Sequence, residues 1–353
     1  MSPYELRIKR ITNYKWARYI ICSLFIVCCS LFLVSCGNNP LDVDMSGIKV
    51  EPVKIQRFDQ DFFSLNADNI SQKLPELQNK YPGFTVLFVK NIVCPSGIND
   101  SACIPDITRF VNDKDMRGAF DNCQKVFPDM SSIETELTKV FRHYLYCFPE
   151  KKIPKVFAMM SGFNYSIANA DSAFAIGLEM YLGKKSRFYD MMQIPNYKRS
   201  TMQKEYIVPD FIRACMINQF PNKSKSGTLL NEMIYQGKLL YLSDALFPDA
   251  DDSLKIGFTK KQLDWCVEHE NDMWGYLIKN KFLYSNEVEV ISKFTGEGPF
   301  TTGFVKESPA RTGVWMGWRI IKKYMNENPK TTLDQLMQED DAQKILSMSK
   351  YKP

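Results

Sequence analysis

Leu229-Leu230-Asn231-Glu232-Met233-Ile234-Tyr235-Gln236-Gly237-Lys238-Leu239-Leu240-Tyr241-Leu242 decides the fold class. Its apolar positions Leu229, Leu230, Met233, Ile234, Gly237, Leu240 and Tyr241 recur at spacings of three and four, the period of an α-helix with a buried face. The same texture continues on both sides, so the chain beyond Pro209 reads as almost wholly helical. Thr259-Lys260-Lys261-Gln262 is a capping box, in which the Thr hydroxyl and the Gln amide each satisfy a backbone N–H at a helix start. It leads into helix from Leu263 to Phe282. Ser308-Pro309 reads as an N-cap followed by proline at the first helical position, opening a helix with Val314, Trp315, Trp318, Ile321 and Met325. Within it, Gly313-Val314-Trp315-Met316-Gly317 is a small-xxx-small pattern that predicts close helix packing. Thr331 is expected to cap a last short helix.

Upstream the texture differs. Val156 to Met160, Tyr165 to Ile167 and Ala173 to Leu178 are short runs rich in β-branched and aromatic residues, which predict a small sheet packed on helices. Ile48 to Phe58 alternates loosely and reads as a strand, with Pro52 placing it at a sheet edge. Helical patterns occupy 70–80 and 106–126. Ser131-Ser132-Ile133-Glu134 is a second capping box, opening a helix to Cys147 with Ile133, Leu137, Val140, Phe141 and Tyr144 on one face. With no internal repeat or Gly/Ser linker after residue 47, residues 48–353 read as one α+β domain, mostly α, with a small sheet.

Residues 1–35 have the order of an export signal. Arg7, Lys9, Arg10, Lys15 and Arg18 oppose a single Glu5, and Tyr19 to Val34 carry no charge. A basic end followed by a short apolar helix, here below the ~20 residues a membrane span needs, is what a signal peptide requires. Leu33-Val34-Ser35-Cys36 resembles the lipobox of bacterial lipoproteins, which implies cleavage before Cys36 and acylation of its thiol. Residues 36–47 then form a flexible tether beginning Gly37-Asn38-Asn39-Pro40. No Asp follows Cys36, which by resemblance to the usual sorting rule implies the outer membrane, facing the periplasm.

Beyond the signal the charge nearly cancels, 40 basic residues against 39 acidic, which excludes a broad nucleic-acid footprint. Six cysteines remain after export, in a compartment where disulfides persist. Cys94 and Cys103 bracket a turn-rich loop and are the best local pair, with two free buried thiols as the alternative; Cys215 and Cys266 read as core. Only two histidines exist, His143 and His269. In His269-Glu270-Asn271-Asp272, Met273 stands where a zinc helix needs its second imidazole, so neither metal nor cofactor is expected. Asp249-Ala250-Asp251-Asp252 opens like a calcium loop, but Leu254 and Lys260 replace the required glycine and glutamate, leaving a solvated acidic turn.

Four stretches resemble the gliding-motility lipoprotein B (GldB) family. They are Ala170 through Gly183, Leu229 to Leu242, Ile256-Gly257-Phe258-Thr259 with Trp265 and Trp274, and Glu307-Ser308-Pro309-Ala310-Arg311-Thr312-Gly313 on to Trp318. The segment around Cys94 and Cys103 departs from the family pattern, and the family's Pro-Gly-Arg reads Pro309-Ala310-Arg311 here. The resemblance implies an envelope lipoprotein associated with gliding machinery, with envelope proteins as partners. The family in turn looks like a distant relative of gluzincin-type zinc peptidases, which implies a zincin-like scaffold without its metal. On that reading Pro209 to Ala214 takes the place of the metal helix and Glu232 that of a third ligand. Asp210, Glu232 and Arg311 would then line a vestigial cleft for a peptide or envelope partner. Arg311 has a competing local role, a salt bridge to Glu307 four residues back. The leading expectation is a non-enzymatic tethered scaffold; the rival is a hydrolase using Glu232, Asp210 or His269.

Overall fold

The computed structural model describes residues 41, 43, 45, 47–170, 173–223 and 227–353. The signal segment, Cys36 and nearly all of the tether lie outside the described residues, as do Asp171, Ser172 and part of the Lys223-Ser224-Lys225 loop. Strands β1 (Ile55–Gln56), β2 (Lys155–Met159), β3 (Ile167–Ala170) and β4 (Ala173–Gly177) form one sheet in the order β1-β2-β4-β3. β1 and β4 run parallel to β2, and β3 returns antiparallel on the outer edge of β4.

The first helices are α1 (Phe58–Phe63), α2 (Ile70–Lys80), α3 (Phe84–Phe88), α4 (Cys103–Asn112), α5 (Lys114–Val126) and α6 (Ser131–Cys147). After the sheet come α7 (Ile207–Gln219), α8 (Leu229–Leu246), α9 (Asp252–Ile256), α10 (Lys260–Glu268), α11 (Glu270–Lys279) and α12 (Val288–Thr295). The chain closes with α13 (Thr312–Glu327), α14 (Leu333–Gln338) and α15 (Ala342–Ser349). In the register of β2 with β4, Phe157 pairs with Ala175 and Val156 with Phe174, so Phe157 and Phe174 face opposite sides of the sheet. Phe157 packs on Tyr81 and Phe84 and Phe174 packs on Phe211 of α7, so both faces are covered by helices.

The α8–α13 pair is the axis of the helical half. A Cβ on Gly317 would lie 1.8 Å from Met233 O, and one on Gly237 would lie 2.3 Å from the Gly317 backbone. The two backbones touch because neither position carries a side chain, the role expected of the small-residue pattern.

Several boundaries differ from the sequence reading for identifiable reasons. The strand expected over Ile48 to Phe58 contracts to two residues. Val53 N–H donates to Thr138 Oγ1 (2.9 Å) and Ile55 N–H to Glu134 Oε1 (2.9 Å), so side chains of α6 replace a strand partner. Glu134 is therefore not free to complete a capping box, and Asp129 instead accepts from Ser131 N–H (2.9 Å). The helix expected over 106–126 is interrupted by Asp113, whose carboxylate caps α5 through the N–H groups of Asp115 and Met116. The segment Leu263 to Phe282 breaks at His269. Thr332, one residue beyond the expected Thr331, caps α14 with Gln335. The Thr259 box forms as read, with Gln262 as its partner. Cys215 and Cys266 are buried. In the acidic turn, Asp251 caps α9 by accepting from Ser253 N–H, and Asp252 pairs with Lys255 and Lys322.

Candidate functional site

A cavity of about 230 Å³ opens where the start of α7, the end of α9 and the chain entering α13 converge. Pro209 fits the first turn of α7 because that turn needs no N–H from it. The same turn presents Asp210 to the cavity, and Arg213 follows one turn on. Tyr181 Oη donates to Asp210 Oδ2 at 2.9 Å. Burial pushes the Asp210 carboxyl up to about 6, with Tyr181, Arg213 and Arg311 pulling against it and Glu297 adding to it.

Arg311 enters from the opposite wall. It sits at φ 59°, the left-handed region, immediately before α13. This overturns the expected start of that helix at Ser308-Pro309: the chain turns at Arg311, and the buried Ser308 Oγ caps nothing. The turn also removes the expected Glu307–Arg311 pair, because the two are not on one helix. Arg311 Nη2 donates instead to Ile256 O at 2.7 Å, and the guanidinium lies over the Phe258 ring, 5.4 Å from its centroid. Arg311 Nε is 3.5 Å from Glu297 Oε1. Gly257, at φ 73°, ends α9, and a Cβ there would stand 3.1 Å from Arg311 Nη2. Glycine at this position both makes the turn and clears room for the guanidinium.

Of the three expected cleft residues, Asp210 and Arg311 meet in this cavity and Glu232 does not line it. Glu232 stands behind the wall: its Oε1 accepts from Gln236 Nε2 (2.7 Å), and Gln236 Oε1 accepts from Arg213 Nη2 (3.2 Å). It holds the residue that holds Arg213. Sequence reasoning missed Arg213, Glu297 and Gly257. Gly257 had a usable signal, a glycine just past a short helix; Glu297, in an irregular loop, had none.

Neither histidine lines the cavity. His269 Nδ1 lies 2.9 Å from Trp265 O with its ring stacked on that indole, and burial lowers the half-buried His143. Among the described residues, no group of three or more His, Cys, Asp and Glu side chains is placed to hold a metal ion, and no helix is long and apolar enough to cross a membrane. Cys94 and Cys103 are buried, free thiols in this structure. Burial, then the neighbouring Cys94, pushes the Cys103 thiol up to about 11.

Residues 38–353 match the model of the family described as gliding motility protein GldB. The chain belongs to that family. The match takes in every residue of the cavity and begins two positions after Cys36. It attaches the chain to gliding motility and, through a family of lipoproteins, to the cell envelope. No curated protein and no solved structure matches the chain.

Proposed function

We propose that the protein is held to a membrane by acyl chains on Cys36 and serves as a non-enzymatic binding component of an envelope gliding apparatus, on the periplasmic side of the outer membrane. Family membership supports the envelope setting, and the order of charge, apolar run and Leu33-Val34-Ser35-Cys36 supports the tether. Two acyl chains anchor stably where one binds only marginally. The observation that carries the non-enzymatic reading is how the cleft's charged groups are held. Asp210 is engaged by Tyr181, Arg311 by Ile256 O and the Phe258 face, and Arg213 by Gln236, while both imidazoles lie elsewhere. Such a cavity suits binding, and neither a histidine nor a cysteine stands in its lining to serve as the base or nucleophile of group transfer.

The tether is tested by growing cells with a palmitate analogue. The wild type should carry the label and fractionate with membranes, and Cys36→Ser should lose it; unlabelled, unprocessed wild type in the cytosol would end the reading. One observation favours the rival hydrolase: an Asp210 carboxyl near 6 could act as a general base at neutral pH. Stoichiometric zinc with peptide turnover abolished by Asp210→Asn or Glu232→Ala would establish that rival.

A further inference from the structure

Within that reading of the cleft as a binding site, Arg311 and Arg213 are the groups whose chemistry is left incomplete. A guanidinium has five N–H donors in a planar fork. Ile256 O takes one from Arg311, and no other hydrogen bond to this side chain forms among the described residues. Glu297 is the nearest carboxylate, but 3.5 Å is long for an N–H···O bond and its side chain is 56% exposed against 10% for Arg311. Arg213 makes a single neutral bond to Gln236 and, among the described residues, no ion pair. The two cations are close enough that each acts on Asp210, and Arg213 acts on Arg311. Lys255 also borders the cavity, but Asp244 (3.1 Å) and Asp252 (3.6 Å) engage its ammonium group.

We infer that the cavity is a carboxylate receptor: a peptide carboxylate, from a C-terminus or an acidic side chain, docks on Arg311 and Arg213 and displaces Glu297. The charges support one such group. With Glu297 swung into solvent, two guanidiniums face the single carboxylate of Asp210, leaving one positive charge for the ligand to neutralise. A carboxylate matches a guanidinium with two parallel bonds, which a 3.5 Å contact to Nε alone does not supply. Glu297 thus stands in for the ligand as a weak internal competitor. A cavity of about 230 Å³ admits the end of a peptide rather than a long stretch of one, and Thr201 and Gln262 in its wall can bond the adjoining peptide unit. The left-handed backbone at Arg311 holds a non-glycine residue in an unfavoured conformation, a cost that fixes the direction of this side chain.

The test uses the full-length protein in detergent and three N-acetylated probes: trialanine with a free carboxylate, trialanine amide, and Ala-Glu-Ala amide. At least one carboxylate probe should bind while trialanine amide does not, and the better of the two identifies the source of the carboxylate. Arg311→Lys should weaken binding at least tenfold. Glu297→Gln, at an exposed position where folding is not at stake, should strengthen it severalfold by removing the competitor. Failure of both carboxylate probes to bind at millimolar concentration, equal binding of the neutral amide, or an unchanged affinity in Glu297→Gln would overturn the inference. Palmitate labelling at Cys36 is read separately, so loss of the tether reading and loss of this one are distinguishable.

Discussion

Replacing Asp210 by Asn should make the protein more stable at neutral and alkaline pH while leaving it unchanged in acid. Asp210 sits deep at the cavity wall, and its carboxyl is raised from 3.8 to about 6, chiefly by burial. In the unfolded chain the group ionises near 3.8, and in the folded chain only near 6. Below the lower value both states are protonated and the group costs nothing. Between the two values the unfolded state loses its proton first, so stability falls as pH rises; above the higher value the penalty is constant. A shift of about two units corresponds to about 3 kcal/mol. Asp210 keeps part of its surface exposed, and solvent screening there lowers that to about 1–2 kcal/mol. Asn cannot ionise and still offers an oxygen to Tyr181 Oη, so it removes the penalty and keeps the bond. Thermal melts followed by circular dichroism should place Asp210→Asn several degrees above the wild type at pH 8 and level with it at pH 3. Wild type melting at or above the variant at pH 8, or the same gap at both values, would refute the reasoning and mean that Arg213 or Arg311 holds the carboxylate as a full ion pair.

Two further outcomes follow from packing and from the thiols. Gly317→Ala would place a methyl 1.8 Å from Met233 O, so α8 and α13 must separate; a loss of about 3 kcal/mol is expected, and a melt within a degree of wild type would show that the helices are not in backbone contact. Cys94 and Cys103, adjacent and buried, should join as a disulfide in protein isolated from the envelope without reductant, adding about 3 kcal/mol for closing a loop of about ten residues. Full alkylation of both thiols in denatured, unreduced protein would exclude the bridge.

What the sequence revealed of the fold was what local periodicity controls. The helix α8, the Gly313 to Gly317 packing and the Thr259 box depend on residues within a few positions of each other, and each formed. But α8 is buried on every side from Gly237 to Leu246 rather than along the single face its spacing predicted, because other elements cover it all round. The Ser131 box has the same local grammar and failed, because Glu134 is recruited by Ile55 and Lys54, roughly eighty positions earlier in the chain. Arg311 shows the same limit at the candidate site. Spacing alone favoured Glu307 as its partner, on the assumption that a helix was already under way; a left-handed residue cancels that assumption, and no propensity announces it.

The cleft assembles from segments near 210, 256, 297 and 311, and no period links those positions. Resemblance to a family brought Asp210 and Arg311 under one heading, whereas Glu297, the residue that tunes the free charge of the site, carried no signal in either pattern or resemblance. A charged group in an irregular loop is free to approach any part of a folded surface, and only the fold decides which. For this reason the decisive variant at the cavity is Glu297→Gln: it leaves every helix, cap and buried contact described above untouched and removes one charge, which faces Arg311 and also acts on Asp210. A change in carboxylate affinity there can come from electrostatics alone.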